Sequence, residues 1–383
     1  LTITSNTFEH QKTSTSYSLF VISNNNCKFD FNNNKVILNE GLTNMYAITY
    51  PDTVTNFDGW SLSSNCIEPF NTNLITNSNN EKIINSFSAE CKKVEEEIPC
   101  PPEPYPKSDK YNNNCHLTNN DGTLIFAIKD SLIALFYCTF ISMTTDDNGK
   151  GGAVFISVSD KIISEKELPF KIYNCSFEKC NAIEGGAIYI ESTESSRLYE
   201  IIDCKFLTNR CIKGLEDDTY GGAICIRAKL SNFEISKCDF ETNETGDGGA
   251  IYYNTADIEL TKKIIKESNE NENEKFSLKI FDCKFTKNTG DANGGAIYVF
   301  IANDEPLNPI EINNCEFISN KAEENEWSEE GELPENGGAI YFGYDSKIAN
   351  EANFAFRVID CKFQRNTASS KGGVIYISIT NTE

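Results

Sequence analysis

Residues 174–190 read Asn-Cys-Ser-Phe-Glu-Lys-Cys-Asn-Ala-Ile-Glu-Gly-Gly-Ala-Ile-Tyr-Ile, and two parts of this stretch recur along the chain. The first is a Cys-x-Phe triplet, which begins at Cys138, Cys175, Cys204, Cys238, Cys283, Cys315 and Cys361. The second is a glycine pair before an apolar run, which begins at Gly151, Gly185, Gly221, Gly248, Gly294, Gly337 and Gly372. The two parts alternate without exception, so the sequence is that of a repeat protein.

The apolar residues around each triplet follow the period of a β-strand. Phe170 and Ile172 lie two residues apart, as do Cys175 and Phe177, and the same spacing returns after each glycine pair. A spacing of two keeps side chains on one face of a strand. The spacing from Ile172 to Cys175 is odd, so the chain must turn between them. Three short strands per repeat predict an all-β fold, a right-handed, single-stranded parallel β-helix whose turns stack about 4.8 Å apart.

The repeats are regular over residues 131–383, with charged loop insertions predicted at 254–276 and 321–336. Residues 1–130 are predicted to hold degenerate turns of the same design. Leu1–Phe8 has the repeat spacing with Asn6 at the cysteine position, and Cys27-Lys-Phe29 is a further candidate triplet.

The N-terminal third also contains an irregular Cys/Pro-rich insertion, residues 66–115. Four prolines between residues 101 and 106 exclude a helix or a strand there, because each proline removes a backbone donor and fixes φ. Its cysteines are Cys66, Cys91, Cys100 and Cys115. We expect them to staple the loop with disulfide bonds, in a pairing that spacing does not define.

The charge of the chain limits its partners. The formal net charge is −23, which argues against nucleic acid and anionic membranes as ligands. No apolar run is long enough for a membrane span, and no leader peptide is visible. We therefore expect a mature or truncated piece of a longer polypeptide.

The triplet residues are predicted to be structural. Stacked cysteines either form a redox or metal ladder or fill a corner of the core, and buried thiols usually pack as small apolar groups. The asparagines that follow five triplets are predicted to form an internal hydrogen-bonded ladder. The recurring glycines suit tight corners with positive φ better than a phosphate-binding loop.

One column lies out of phase with the buried positions and is predicted to face solvent. It comprises Phe155, Tyr189, Cys225, Tyr252, Tyr298, Tyr341 and Tyr376. Its aromatic members either stabilise the sheet by cross-strand contacts or form a binding surface for sugar rings or protein side chains. They are the candidate site residues of this chain.

Four further features remain open. Cys180 and Cys211 lie at corners of adjacent turns and could form a disulfide. Asn174 and Asn243 begin glycosylation sequons. Acidic residues often precede the glycine pairs, but not at a fixed offset, so a solvated edge is favoured over calcium sites. No clustered carboxylates or catalytic set recurs, so we expect neither an enzyme nor a cofactor.

The Phe-x-x-Asn motifs, which alternate with the Gly-Gly-Ala-Ile runs, resemble those of chlamydial polymorphic outer membrane proteins and similar surface proteins of protists. The resemblance covers roughly residues 138–377. Met143 and Cys180 depart from it by replacing the asparagine. It implies an extracellular β-helical segment, displayed at a cell surface and used in adhesion.

Three functions follow as hypotheses. The first is an extracellular adhesin or binding stalk for a protein or glycan ligand. The second is a structural element of a surface coat or filament, in which neighbouring copies assemble end to end because uncapped coils expose strand edges. The third, a polysaccharide-active enzyme, lacks a supporting residue cluster.

Overall fold

The computed structural model describes residues 134–145, 149–158, 170–192, 198–212, 219–228, 231–255, 278–302, 309–323, 335–346 and 356–381. Before these it describes the backbone of the strands between residues 2 and 127 that are named below. The described residues form strands and turns, and none of them lies in a helix long and apolar enough to cross a membrane.

The strands stack into three long parallel sheets, and each turn between Asn112 and Asn381 gives one strand to each sheet. The first sheet contains, in spatial order, β10 (Asn112–Asn113), β13 (Ala134–Phe136), β16 (Phe170–Tyr173), β20 (Leu198–Ile202), β24 (Asn232–Ser236), β28 (Leu278–Phe281), β32 (Ile310–Asn313), β36 (Phe356–Ile359), β1 (Thr2–Thr4), β4 (Phe29–Asn32) and β7 (Trp60–Ser63). The second contains β11 (His116–Thr118), β14 (Thr139–Ile141), β17 (Ser176–Glu178), β21 (Lys205–Leu207), β25 (Asp239–Glu241), β29 (Lys284–Thr286), β33 (Glu316–Ile318), β37 (Lys362–Gln364), β2 (Thr7–His10), β5 (Lys35–Leu38), β8 (Asn65–Glu68) and β9 (Phe87–Ser88).

The third sheet follows the glycine pairs. It contains β12 (Leu124–Ala127), β15 (Val154–Val158), β19 (Ile188–Ser192), β23 (Ile224–Ala228), β27 (Ile251–Asn254), β31 (Ile297–Ala302), β35 (Ile340–Ser346) and β39 (Ile375–Asn381). A separate pair is formed by β3 (Ser18–Val21) and β6 (Tyr46–Thr49). The all-β class and the stacking of parallel strands are therefore confirmed, whereas the right-handed sense stays a prediction.

A fourth, short sheet was not predicted from the sequence. Its two-residue strands are β18 (Asn181–Ala182), β22 (Arg210–Cys211), β26 (Glu244–Thr245), β30 (Thr289–Gly290), β34 (Lys321–Ala322) and β38 (Thr367–Ala368). Each follows the corner between the second sheet and the glycine pair. Six repeats thus have four strands per turn instead of three.

The core lies inside the coil and is built from equivalent residues of successive turns. The phenylalanines of the seven triplets, from Phe140 to Phe363, are buried and form one continuous stack. Their ring centroids lie 4.7–4.9 Å apart, with interplanar angles of 2–6°. Because a parallel register places equivalent residues of successive turns one strand spacing apart, each phenylalanine ring packs on the equivalent ring of the next turn.

The corners have left-handed backbone. The residue before each triplet cysteine has φ between 49° and 56°, and Asn or Asp occupies five of these seven positions. A second corner four residues after the cysteine has the same conformation. The first glycine of each pair has φ between 61° and 71°. The predicted turns are thus confirmed at the positions where the apolar period breaks.

The N-terminal strands lie beyond the C-terminal end of the stack. Strand β1 pairs with β36, and β2 pairs with β37, with Phe8 opposite Phe363. This register puts Asn6 at the cysteine level, as predicted. The prediction of a triplet at Cys27-Lys-Phe29 is wrong. Phe31 of β4 pairs with Ile3 and Val36 of β5 pairs with Phe8, so Val36, and not Phe29, lies at the level of the triplet phenylalanine.

The predicted loop insertions lie largely outside the described residues. Residues 256–277 and 324–334 are not described, and neither is most of residues 66–115. The disulfide-stapled loop therefore stays a prediction.

Candidate binding surface

The triplet cysteines form hydrogen bonds at the corners of the coil. The backbone N–H of Cys138 donates to Sγ of Cys175 at 3.4 Å, and this contact recurs from Cys204 to Cys238 and from Cys315 to Cys361. Each triplet thiol from Cys175 to Cys361 also donates to the carbonyl oxygen two residues before it, as Cys204 does to Ile202 at 3.2 Å. The six from Cys175 to Cys361 are buried free thiols. The interpretation as core packing is confirmed for them, with the addition that they close the corner hydrogen bonds.

The corner asparagines form the predicted internal ladder. The Nδ2 group of Asn243 donates to Oδ1 of Asn288 at 2.9 Å and to the Phe206 carbonyl at 3.0 Å. The same pattern links Asn209, Asn243, Asn288, Asn320 and Asn366, all of which are fully buried. Because each amide hydrogen bonds within the chain, these groups are not available to a ligand.

The possible disulfide between Cys180 and Cys211 is not formed, and both residues are free. The backbone N–H of Cys180 donates to Oδ1 of Asn209, so Cys180 occupies the asparagine ladder. Cys211 lies two residues further along its turn, where it pairs with Ala182. The strand register therefore separates two cysteines that sequence spacing brings to the same corner.

The two sequons differ in access. Asn174 is exposed at a corner, with φ of 49°. Asn243 is fully buried, and its amide nitrogen donates to two acceptors inside the coil. In the folded chain only Asn174 presents an amide that an enzyme can reach.

The aromatic column does point out of the main core, but it is not uniformly exposed. Tyr189, Cys225 and Tyr252 are only 1%, 0% and 3% exposed and form a second apolar cluster outside the third sheet. The expectation that they face solvent is wrong. Phe155, Tyr298, Tyr341 and Tyr376 are half-buried.

Charged side chains lie over the buried part of the column. Nζ of Lys150 lies 4.6 Å from the centre of the Tyr189 ring, and the Arg227 guanidinium lies 5.6 Å from that of Tyr252. Arg227 Nε also pairs with Glu184 Oε2 at 2.8 Å. Burial raises the pKa of Tyr189 and of Tyr252 above the usual tyrosine range. This half of the column is a closed, structural cluster.

The other half of the aromatic column, from Tyr298 to Tyr376, is the open half: its side chains are half-buried and its rings stack regularly on Tyr252. The rings of Tyr252, Tyr298 and Tyr341 stack at 4.9 and 4.8 Å with interplanar angles of 9° and 2°. Tyr376 continues the stack 5.4 Å beyond Tyr341. Burial raises the pKa of Tyr341 to about 12, so its hydroxyl stays protonated at neutral pH.

Phe300 enlarges this surface and was missed from the sequence. It lies two residues after Tyr298 and is half-buried, and a Cβ on Gly343 would come within 2.6 Å of its ring. The phenylalanine ring thus covers the glycine backbone beside Tyr341. The period of two after Tyr298 was a signal that could have identified it. We call Tyr298, Phe300, Tyr341 and Tyr376 the open aromatic patch.

The outward positions of the second sheet carry alternating charges that were also missed. Lys205, Asp239, Lys284, Glu316 and Lys362 succeed one another in register. Lys362 Nζ lies 4.0 Å from Glu316 Oε1. Opposite charges on neighbouring strands favour this register over its alternatives.

Some acidic side chains next to the glycine pairs already accept hydrogen bonds from other residues of the chain. Oδ1 of Asp247 accepts from the backbone N–H and the Nδ2 group of Asn293, at 3.0 and 3.2 Å. Asn336 extends this contact to Oδ1 of Asn293. In the part of the chain that the structure describes, no group of three or more His, Cys, Asp or Glu side chains is placed to hold a metal ion.

Comparison with known proteins identifies the repeat. The Chlamydia polymorphic membrane protein repeat matches residues 282–299 and 360–378, each of which runs from a corner aspartate through a triplet. The resemblance to polymorphic membrane proteins is confirmed at these two repeats. No curated protein and no solved structure matches the chain.

Proposed function

We propose that this chain is an extracellular, surface-displayed β-helical rod that acts as an adhesin or binding stalk through its open aromatic patch. The observation that carries the proposal is the half-buried stack of Tyr298, Tyr341 and Tyr376 on a regular parallel sheet. The match to a membrane-protein repeat supports display at a cell surface.

The geometry of the stack favours a protein ligand over a glycan. Sugars bind aromatic rings across a free ring face, but the faces of Tyr298 and Tyr341 pack on neighbouring rings 4.8 Å away. What remains accessible is the ring edges and the hydroxyl groups. Tyrosines with an apolar body and a polar tip are enriched in protein interfaces.

The test is a binding assay of the full chain on arrays of extracellular proteins and of glycans, with the double variant Tyr298→Ser, Tyr341→Ser. Loss of two central aromatic anchors typically costs about 2 kcal/mol or more each at an interface. We expect protein binding to weaken by at least roughly tenfold.

The matched control is Tyr137→Ser, which removes an exposed tyrosine (50% exposed) from the corner after the first sheet. Serine is compatible with this left-handed conformation, because it already occupies the second corner with the same φ at Ser142 and Ser319. Binding should be unchanged in this variant. Equal affinity of the double variant and the unmodified chain would remove the patch from the proposal, and binding to glycans alone would exclude a protein ligand.

A second candidate function is a coat or filament element whose copies assemble end to end. One observation favours it. Strands from the start of the chain extend the stack beyond its C-terminal turn, so this edge accepts added parallel strands.

A further inference from the structure

The strands β1 to β9 form a unit that adds to the coil at the opposite end from where chain order would place it. In the first sheet the order runs β10, β13 and onward to β36, and then continues with β1, β4 and β7. We propose that this unit also docks on the C-terminal turn of a second copy, so that copies join head to tail by strand exchange. This inference deepens the second candidate function and rests on it.

The contacts that hold the unit in place are backbone pairings. Thr2, Ile3 and Thr4 pair with Arg357, Val358 and Ile359, and Thr7, Phe8 and Glu9 pair with Lys362, Phe363 and Gln364. Such pairing depends on the two strands and not on which chain supplies them. A second copy presents the same edge in the same register.

The connection between the unit and the coil permits the unit to dock either on its own chain or on a second copy. Residues 89–111 join β9 to β10, which lie at opposite ends of the stack. The sheets are up to 12 strands high, which corresponds to roughly 50 Å at a strand spacing of about 4.8 Å. The 23 residues between the strands reach roughly 75–80 Å when extended, so the connection can span a single closed copy.

Head-to-tail joining also uses edges that closure leaves open. In the described part of a single copy, β7 and β9 end one side of their sheets, and β10, β11 and β12 end the other. If the unit of one copy docks on the preceding copy, its own coil can stack directly on β7 and β9, in chain order. Every pairing of the closed copy is kept, and parallel pairs are added at a site that otherwise invites association. Because the contact is heterologous and does not close, the product is a linear chain.

The pairing can be tested with one surface substitution. Thr7 lies between Lys362 and Lys35 in register, on the column of alternating charges. The substitution Thr7→Glu extends that alternation and places a carboxylate next to the Lys362 amine. A carbodiimide joins a carboxylate to an amine with loss of water only when the two are in contact.

The experiment mixes equal amounts of unlabelled and nitrogen-15-labelled full-length chains that carry Thr7→Glu. They are unfolded together, refolded at low and at high protein concentration with thiols kept reduced, treated with carbodiimide, and digested for mass spectrometry. We expect cross-links between the segments of residues 7 and 362 within one isotope at low concentration. At high concentration we expect mixed-isotope cross-links, approaching the statistical proportion, in particles longer than one copy.

Two outcomes would overturn the proposal. Same-isotope cross-links at every concentration would show that the unit docks only on its own chain. The absence of the 7–362 cross-link under all conditions would show that the pairing does not form. The variant Thr7→Gln has the same size without the carboxylate and should give no cross-link from position 7. Ligand binding through the open aromatic patch is measured separately, so failure here leaves the adhesin proposal standing.

Discussion

At the scale of single residues, Asn288 concentrates several buried hydrogen bonds in one side chain. Its Nδ2 group donates to Oδ1 of Asn320 and to the Phe240 carbonyl, and its Oδ1 accepts from the backbone and the side chain of Asn243. Asn288→Ala leaves these partners buried without a hydrogen bond. At about 1–3 kcal/mol for each unsatisfied group, we expect a loss of about 3 kcal/mol or more in the free energy of unfolding.

Denaturant unfolding measures this loss as a shift of the midpoint. The control is Asn181→Ala, since Asn181 lies outside the ladder, is half-buried, and makes one long side-chain bond of 3.3 Å to the Lys179 carbonyl. We expect the control to cost less than about 1 kcal/mol. Similar midpoints for the two variants would mean that the ladder contributes nothing beyond an ordinary surface amide.

Glu234 is a second residue with a specific energetic role, on the outward side of the first sheet. Burial raises the pKa of this carboxyl, and the neighbouring Glu200 adds to the shift, while Lys279 opposes it. A folded pKa above the unfolded value means that the folded chain binds the proton more tightly. Stability associated with Glu234 is therefore present at low pH and is lost as pH rises through its folded pKa.

Glu234→Gln should consequently raise the melting temperature at neutral pH, and this gain should vanish as the pH falls below the unfolded carboxyl range near pH 4. Thermal melts from pH 4 to pH 8 give the measurement. Glu316→Gln is the comparison, because Glu316 lies between Lys284 and Lys362 and should lose rather than gain stability. A gain at neutral pH that persists unchanged at pH 4 would contradict the assignment to Glu234 ionisation.

At the scale of elements, the buried cysteines Cys180, Cys204, Cys211 and Cys238 should be chemically silent in the folded chain. Burial raises the pKa of the Cys204 and Cys238 thiols well above the usual value, and it raises those of Cys180 and Cys211 to about 12. Since the thiolate is the reactive form, native protein should leave these residues unmodified by iodoacetamide. Peptide mapping after labelling with and without denaturant checks this, and native labelling at Cys204 would contradict it.

The corners and the asparagine ladder could be predicted from the sequence because they depend on residues that are close together in the chain. A break in the apolar period of two, next to an Asn or Asp, marks a left-handed corner wherever it occurs. The buried corner then requires a donor and an acceptor, which an asparagine supplies to its neighbours above and below. The fourth sheet was not predictable, because strands of two residues such as Asn181–Ala182 are too short to show a period.

The exposure of side chains within the aromatic column could not be predicted from the sequence either. Tyr189 and Tyr341 occupy equivalent positions after their glycine pairs, yet only Tyr189 is buried. The difference lies in Lys150 and Arg227, which come from the two neighbouring turns and approach only once the turns have stacked. Arg227 then pairs with Glu184 of the turn that carries Tyr189. The open half of the candidate site was thus found by its period, and the closed half was assigned wrongly for lack of these contacts.

At the scale of the whole molecule, the net charge of −23 should make stability depend on salt. Like charges on one compact rod repel each other, and added salt screens this repulsion. Raising NaCl from about 10 mM to about 1 M shortens the screening length from roughly 30 Å to roughly 3 Å, and the melting temperature should rise by several degrees. A fall in melting temperature would instead show that ion pairs such as Lys171–Glu200 outweigh the net repulsion.

The position of the N-terminal strands was the largest feature that the sequence did not predict. Local patterns identify a strand and its inward face, but they do not name the strand it pairs with. The partner of Thr7 lies more than 350 residues away, at Lys362, and only stacking in space reveals it.

This placement changes how the molecule would carry a mechanical load. Strands β1 and β39 lie at the same end of the stack, so a pull applied between them does not run along the rod. The tension would act on the pairs β1–β36 and β2–β37 and would bypass the turns from β13 to β32. A single closed copy would therefore peel open at its junction, while a head-to-tail chain would transmit the force through its full length.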